Sequence, residues 1–293
     1  MSNAPYVAAI EAGGTKFNCA LVDANRNIIA QQRVATTTPD KTIGEAIQFF
    51  QRLRDQGFDF ARLGLACFGP LDLQANSDTF GSIARTPKPE WSNTPIKQWL
   101  ERELQVPVAL DTDVNAAALA ESLWGAAQHA SVAVYVTVGT GVGVGVVING
   151  QTLKGLVHPE VGHWLVPKPT ALEGQCPFHG SCIEGLASGT SMRQIWQTPA
   201  HELPLDHPAW DAETDVLALL CHNLMLAYSP FKIIIGGGVM ARAELYTEVA
   251  RKTAHSLADY LVLPQGVEFS DIIQPPGLSD KAGILGAYAL TFQ

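Results

Sequence analysis

Cysteine is scarce in this chain, five in 293 residues, and Cys19, Cys67 and Cys221 stand singly in apolar runs where they read as small core residues. An odd number of thiols fits a reducing cytoplasm better than a disulfide-built secreted domain. The opening Met1-Ser-Asn-Ala-Pro-Tyr lacks the cationic and apolar run of a secretory leader. Basic residues are few as well: 19 Lys and Arg against 28 Asp and Glu give a formal charge of −9, and no Lys/Arg cluster stands out, which argues against a broad nucleic-acid surface. Ser122 to Leu153 contains no charged residue and is long enough to span a membrane. It opens with helical spacing around Gln128 and His129, then turns into β-branched residues interleaved with Gly139, Gly141, Gly143 and Gly145, a pattern that breaks a lipid-facing helix and predicts a soluble strand pair.

Two familiar phosphate-binding patterns are missing. After Gly139 and Gly141 the third glycine of G-x-G-x-x-G falls on Val144, and no G-x-x-x-x-G-K-[ST] occurs. What is present is a hairpin grammar used twice. Tyr6 to Glu11 is an apolar strand, Ala12-Gly13-Gly14-Thr15-Lys16 a turn, and Phe17 to Val22 a second strand; Ser131 to Val138, Gly139-Thr140-Gly141 and Val142 to Ile148 repeat the plan. Each turn is either a nest of amides for phosphate oxygens, with Thr15 and Thr140 adding hydroxyls, or only a tight turn. Two such hairpins, each opening an α/β segment, predict two domains of related plan facing a common cleft. At 293 residues and 47% hydrophobic, the chain can build both.

Further along, Val106 to Leu110 reads as a strand and Asn115 to Ala127 as a helix with Ala118, Leu119, Leu123 and Ala126 on one face. Asp113 lies at the junction, placed for chemistry or for an N-cap. Phe231 to Ile235 is a buried-type strand running into Gly236-Gly237-Gly238 and a helix from about Val239 to Leu261; the glycine run either seats a flat ring or ribose or serves packing.

The richest stretch is Glu160-Val-Gly-His163, then, after twelve residues, Cys176-Pro-Phe-His179-Gly-Ser-Cys182-Ile-Glu184. His163, Cys176, His179 and Cys182 form a four-ligand set of the kind that closes tetrahedrally on structural zinc. The alternatives are a Cys176–Cys182 disulfide or packed thiols beside a surface histidine. A zinc with four protein ligands cannot activate water, so the carboxylates beside it become the chemical candidates.

In their order along the chain these segments resemble the ROK family of sugar kinases. Glu11-Ala12-Gly13-Gly14-Thr15-Lys16 is similar to that family's first phosphate motif, Thr112-Asp113-Val114-Asn115-Ala116-Ala117 to its catalytic segment, and Gly139-Thr140-Gly141-Val142-Gly143 to its second phosphate loop. Glu160-x-x-His163 with the Cys/His cluster resembles its zinc and sugar signature, Ile235-Gly236-Gly237-Gly238 its adenosine motif, and Ser279-Asp280-Lys281-Ala282-Gly283 its closing segment. The lead-in His158-Pro159-Glu160 and the His-bearing cluster are most similar to the bacterial fructokinase branch.

The resemblance implies an α/β fold of actin/hexokinase-like (ribonuclease H-like) type, two domains with a ligand cleft between them. Residues 1–111 would form a small N-terminal domain joined by the C-terminal helix at about 280–293, and 112–279 a larger one carrying the zinc loop 158–184. It implies transfer of the γ-phosphoryl group of ATP to a hexose hydroxyl with Mg2+, fructose being the expected acceptor, and glucose, mannose and N-acylmannosamine the alternatives. Asp113 would be the general base; Gly69, Thr112, Asp113, Glu160, His163 and Glu184 would bind sugar. Gly13, Gly14, Thr15, Lys16, Gly139, Thr140 and Gly141 would hold phosphates, with Gly236, Gly237 and Gly238 on the adenosine side. His163 would bind zinc through one ring nitrogen and sugar through the other. The family usually has Asp where Glu11 stands and Asn where Thr112 stands, which bears on Mg2+ geometry and on sugar choice. A cytoplasmic homodimer is implied, with no nucleic-acid or membrane partner. Two other classes compete: a sugar-responsive repressor, which would carry an additional helix-turn-helix domain ahead of a first strand that here begins by Tyr6, and a non-catalytic sugar sensor.

Overall fold

The computed structural model describes residues 5–168 and 172–293. Residues 1–4, part of the opening read above for a leader, and 169–171, inside the 158–184 loop, lie outside the described residues. The chain divides into two compact units, one built from residues 1–120, 151–159 and 280–293, the other from 121–150 and 160–279.

In the first unit, β1 (Tyr6–Ala12), β2 (Lys16–Asp23) and β3 (Ile28–Ala35) form an antiparallel meander, followed by α1 (Pro39–Asp55), β4 (Phe60–Cys67), α2 (Ile96–Leu104) and β5 (Val108–Thr112). The strands lie in the order β3-β2-β1-β4-β5, and β1, β4 and β5 run parallel. Strands β1 and β2 are buried along most of their length, as their continuous apolar runs require, whereas the edge strand β3 alternates exposed Gln31 and Arg33 with more buried positions. Helix α1 starts with Pro39 and Asp40 and ends with Arg52 and Arg54, charges that complement the helix dipole, and it buries Ile43, Ala46, Ile47, Phe50 and Leu53 in the core. Trp91, fully buried, packs on Phe17 and Phe68 at centroid distances of 5.6 and 5.4 Å, and its indole N–H donates to the Thr37 carbonyl at 2.7 Å.

Helix α3 (Asp113–Trp124) follows β5 directly. The second unit then holds β6 (Val132–Val138) and β7 (Val142–Ile148); after the two-residue β8 (Gln151–Thr152), which belongs to the first unit, it continues with α4 (Ile183–Ala187), α5 (Gly189–Trp196), α6 (Ala209–Tyr228), β9 (Lys232–Gly236), α7 (Glu244–Leu257), α8 (Phe269–Ile272) and β10 (Ile273–Gln274). Helix α9 (Ala282–Leu290) returns to the first unit and packs on β1 and β4. In the second sheet β6 pairs antiparallel with β7 and parallel with β9, which in turn pairs parallel with β10. The order β7-β6-β9-β10 thus repeats β2-β1-β4-β5 in arrangement and sense. The doubled hairpin read in the sequence is a doubled sheet plan.

Several boundaries move from their expected places. The strand expected at Val106 to Leu110 runs from Val108 to Thr112: Pro107 has no N–H to give a ladder, and the polar end of the strand is satisfied by side chains. Leu123, expected on the buried face of α3, is 42% exposed, while Ala116 to Ala120 are all buried. The long helix expected at 239–261 is shorter, a 3₁₀ turn at Gly238–Met240 preceding α7, which stops at Leu257 because Ala258 and Asp259 take positive φ. The charge-free 122–153 stretch contains the β6–β7 hairpin, and among the described residues no helix is long and apolar enough to cross a membrane.

Candidate active site

The first unit places Asp113 as the opening residue of α3. The capping role open to it in sequence is filled by its neighbour: the Asn115 amide donates to Thr112 Oγ1 at 3.1 Å, while the Val114 amide donates to Asp113 Oδ1 at 2.9 Å. Burial, and then the negative charge of Glu11, push the Asp113 carboxyl up to about 6. A carboxylate with its proton affinity raised towards neutrality suits a general base.

Glu11 is itself held. Its Oε2 accepts from Asn18 Nδ2 at 2.7 Å, and Asn18 Oδ1 accepts from Arg33 Nε at 3.3 Å. These three side chains occupy one cross-strand row, Glu11 opposite Asn18 and Asn18 opposite Arg33. The longer arm of Glu lies against Gly283, where a Cβ would come within 2.3 Å of Glu11 Cδ. Beside Thr112, the fully buried Asp111 accepts from the Thr112 amide at 2.7 Å, Asn115 Nδ2 at 2.9 Å and Thr152 Oγ1 at 2.7 Å, with Lys154 Nζ at 3.1 Å. Asn18 and Asp111 carry no motif of their own; only a polar residue inside an apolar run marks them in the sequence.

In the β1–β2 turn the Gly13 amide donates to the Lys16 carbonyl, and the Gly13 and Thr15 carbonyls accept from the Thr36 hydroxyl and amide, at 2.8 and 3.0 Å. Gly14, Thr15 and Lys16 are exposed. The corresponding turn of the second unit is anchored through the Gly139 and Thr140 carbonyls, which accept from the Gly189 amide at 2.8 Å and the Thr190 hydroxyl at 2.7 Å. Backbone oxygens are thereby turned into each unit. At the third glycine run, a Cβ on Gly236 would meet the Tyr135 hydroxyl at 2.4 Å and one on Gly237 the Val138 carbonyl at 2.3 Å, so these two glycines are required by packing, while Gly238 has open space around it.

His163, Cys176, His179 and Cys182 converge in the second unit, their ligand atoms all within 4.8 Å of one another. His163 Nδ1 lies 3.3 Å from His179 Nδ1, 3.6 Å from Cys182 Sγ and 3.8 Å from Cys176 Sγ, and Cys176 Sγ lies 3.8 Å from His179 Nδ1. A tetrahedral zinc with Zn–N of about 2.0–2.1 Å and Zn–S of about 2.3 Å places its ligand atoms roughly 3.3–3.8 Å apart, so the donor set has the spacing of such a site. The thiols are free, which removes the disulfide alternative. A tight turn with reciprocal Cys176 and Gly180 backbone hydrogen bonds brings Cys176 to His179. Burial pushes the Cys182 thiol up to about 11, so a thiolate there depends on a cation.

The cluster is coupled to Glu184. Cys182 caps α4 by accepting from the Gly185 amide, and Glu184 stands in the first turn of that helix. Its Oε2 accepts from the Val142 amide at 3.0 Å, and its Oε1 lies 3.9 Å from His163 Nε2, the ring nitrogen turned away from the cluster. A Cβ on Gly141 would come within 2.5 Å of Glu184 Oε2. A side chain at 141 would displace the Glu184 carboxylate from the Val142 amide. Glu160 is exposed at the start of the Val161–His163 turn, its carbonyl accepting from the His163 amide at 3.0 Å. Gly69 lies in the loop after β4, and Thr112 is buried at the end of β5.

Two outcomes follow from this geometry. Elemental analysis of freshly purified protein is expected to give one zinc per chain, and Cys182→Ser to lower both zinc content and Tm; full-stability protein without zinc would refute the assignment. In the ligand-free protein, carboxyl NMR should find Asp113 titrating near pH 6, protonated below and charged above. Glu11→Gln removes one of the two effects that raise this value, so the midpoint should fall; an unmoved midpoint would leave burial as the whole cause.

The ROK family model matches residues 7–293. A fructokinase of Zymomonas mobilis is 44% identical over 290 residues, covering 96% of this chain and 94% of the relative, and one of Streptococcus mutans is 35% identical over 287 residues, covering 96% of each. Among solved structures, a ROK hexokinase from Thermus thermophilus superposes with a TM-score of 0.78 at 27% identity, covering 97% of both chains. With its doubled sheet plan this is the actin/hexokinase-like fold, and the chain belongs to the ROK family.

Proposed function

We propose that this protein is an ATP-dependent fructokinase, transferring the γ-phosphoryl group of ATP to a hydroxyl of fructose. The observation that carries the chemistry is Asp113, at the start of a helix whose capping is done by Thr112, with its carboxyl raised to about 6. The choice of fructose rests on full-length similarity to fructokinases at up to 44% identity.

In this reading Asp113 accepts the proton of the attacking hydroxyl. Glu160, His163 and Glu184 hold sugar hydroxyls, with Gly69 and Thr112 alongside; Thr112 Oγ1 already accepts one amide and would offer the sugar its hydroxyl hydrogen. Gly13, Gly14, Thr15, Lys16, Gly139, Thr140 and Gly141 receive the phosphates through backbone amides and hydroxyls, and Gly236, Gly237 and Gly238 lie on the adenosine side. Mg2+, when bound with ATP, neutralises charge on the phosphates, and Glu11 is the residue proposed to orient it through its waters. His163, Cys176, His179 and Cys182 would hold zinc, whose contribution is to fix the loop that carries His163 and Glu184.

Phosphoryl transfer depends mostly on positioning and charge stabilisation, yet a positioned base contributes about 10²- to 10⁴-fold, so Asp113→Asn should raise the barrier by about 3 to 5 kcal/mol while sugar binding persists. Near wild-type kcat would return Asp113 to a structural role. Because the base acts deprotonated, kcat/KM in the wild type should fall as pH drops through about 6. With Mg-ATP and a panel of fructose, glucose, mannose, N-acetylmannosamine and N-acetylglucosamine, fructose should give the highest kcat/KM. A tenfold advantage for glucose, about 1.4 kcal/mol, would refute the substrate assignment.

A further inference from the structure

His158 is a buried histidine, 5% exposed, outside every residue set assigned above. Its Nε2 accepts the Leu71 amide at 2.9 Å, a bond enclosed on all sides. A ring nitrogen that accepts carries a lone pair, so the imidazole is neutral with its hydrogen on Nδ1. Burial works in the same direction, lowering the proton affinity of the ring below the usual histidine value. Contact with the loop after β4 is close: a Cβ on Gly69 would stand 3.1 Å from His158 Cε1.

Two further attachments run parallel to this one. Gln74 Nε2 donates to the Gly155 and Leu156 carbonyls at 2.7 and 2.8 Å, so residues 155–158 are stitched along the 69–74 loop. The start of the same segment is fixed to the end of β5, where Thr152 and Lys154 meet Asp111, two residues before Asp113. On its other side the loop is bound by the Asp72 amide to Ser82 and the Ala84 amide to Pro70, at 3.0 and 2.8 Å. His158 thus supplies a buried side-chain acceptor for the Leu71 amide, within a loop otherwise anchored by backbone and surface groups, and only Pro159 separates it from Glu160.

We infer that His158 is a positioning residue for the acceptor sugar, fixing the Gly69–Leu71 loop and the approach of the chain to Glu160 through the Leu71 amide. The inference rests on the fructokinase reading, since Gly69 and Glu160 are sugar contacts only within it. A histidine that merely satisfies a core amide would give a variant with lower stability and a general loss of activity. A positioning residue gives a selective one: sugar affinity changes while nucleotide affinity and turnover stay.

The test compares His158→Phe, which keeps the ring and removes the acceptor, with His158→Gln, whose amide oxygen reaches the place of Nε2, in steady-state kinetics with Tm recorded for each. In the Phe variant the KM for fructose should rise about tenfold or more, the scale expected when a buried amide loses its acceptor, with kcat and the KM for ATP nearly unchanged; the Gln variant should return close to wild type. Should the Phe variant fail to fold, His158→Asn, polar but too short to reach Leu71, is expected to show the same selective rise. A wild-type fructose KM in the folded Phe or Asn variant, a parallel loss in kcat and both KM values, or a Gln variant no better than the others would each overturn the inference. Wild-type protein inactive on every sugar of the panel would instead remove the fructokinase reading, and this inference with it.

Discussion

Two thiols and two imidazoles gathered within 4.8 Å make a poor hydrophobic core. A divalent cation would suit such a donor set, taking one lone pair from each ligand, favouring thiolates at Cys176 and Cys182 and fixing the loop around itself. The placement of Glu184 hangs on this cluster. Cys182 is at once a member of the donor set and the N-cap of α4, so the position of Glu184, two residues on in the first turn, is set by the cluster. Glu184 in turn reaches the Val142 amide and occupies the space a side chain at 141 would take. Metal loop, carboxylate and glycine turn are one mechanical object, and displacement of any part is felt in the others.

The first unit solves a different electrostatic problem. Asp113 and Glu11 are two carboxylates close enough for the charge of one to raise the proton affinity of the other, in a region where burial already disfavours ionisation. Glu11 is stabilised by the amide of Asn18, whose oxygen is turned towards Arg33, so the positive end of the row lies at the sheet edge and the negative end at the site. Among the described residues Asp113 has no such side-chain donor; its Oδ1 accepts from the adjacent helix amide of Val114. The pair is therefore asymmetric: Glu11 is held by a side-chain amide from the neighbouring strand, while the Asp113 carboxyl is raised to about 6.

The repeated sheet plan explains why the two glycine turns after β1 and β6 are built alike. In each, the carbonyls are taken up by the unit itself, by Thr36 in one case and by Gly189 and Thr190 in the other. Within each turn a glycine amide is also used internally, Gly13 to the Lys16 carbonyl and Gly139 to the Gly141 carbonyl, and a strand follows in place of the helix N-terminus that dinucleotide folds and P-loops use.

The sequence by itself determined the elements whose signal is local: the two hairpins from alternating apolar runs around Gly-Thr turns, the helix after Asp113, and the Cys/His set from ligand types at short spacing. These depend on contacts between near neighbours, so pattern suffices. Only tertiary structure decided that Thr112 rather than Asp113 caps α3, that Gly236 and Gly237 serve packing against Tyr135 and Val138, and that Gly141 makes room for Glu184. It alone revealed the partners of Asn18, Asp111 and His158, single polar residues whose partners lie 7, 41 and 87 positions away. A buried polar group takes its meaning from the partner that satisfies it, and where that partner is distant in sequence no local pattern names it.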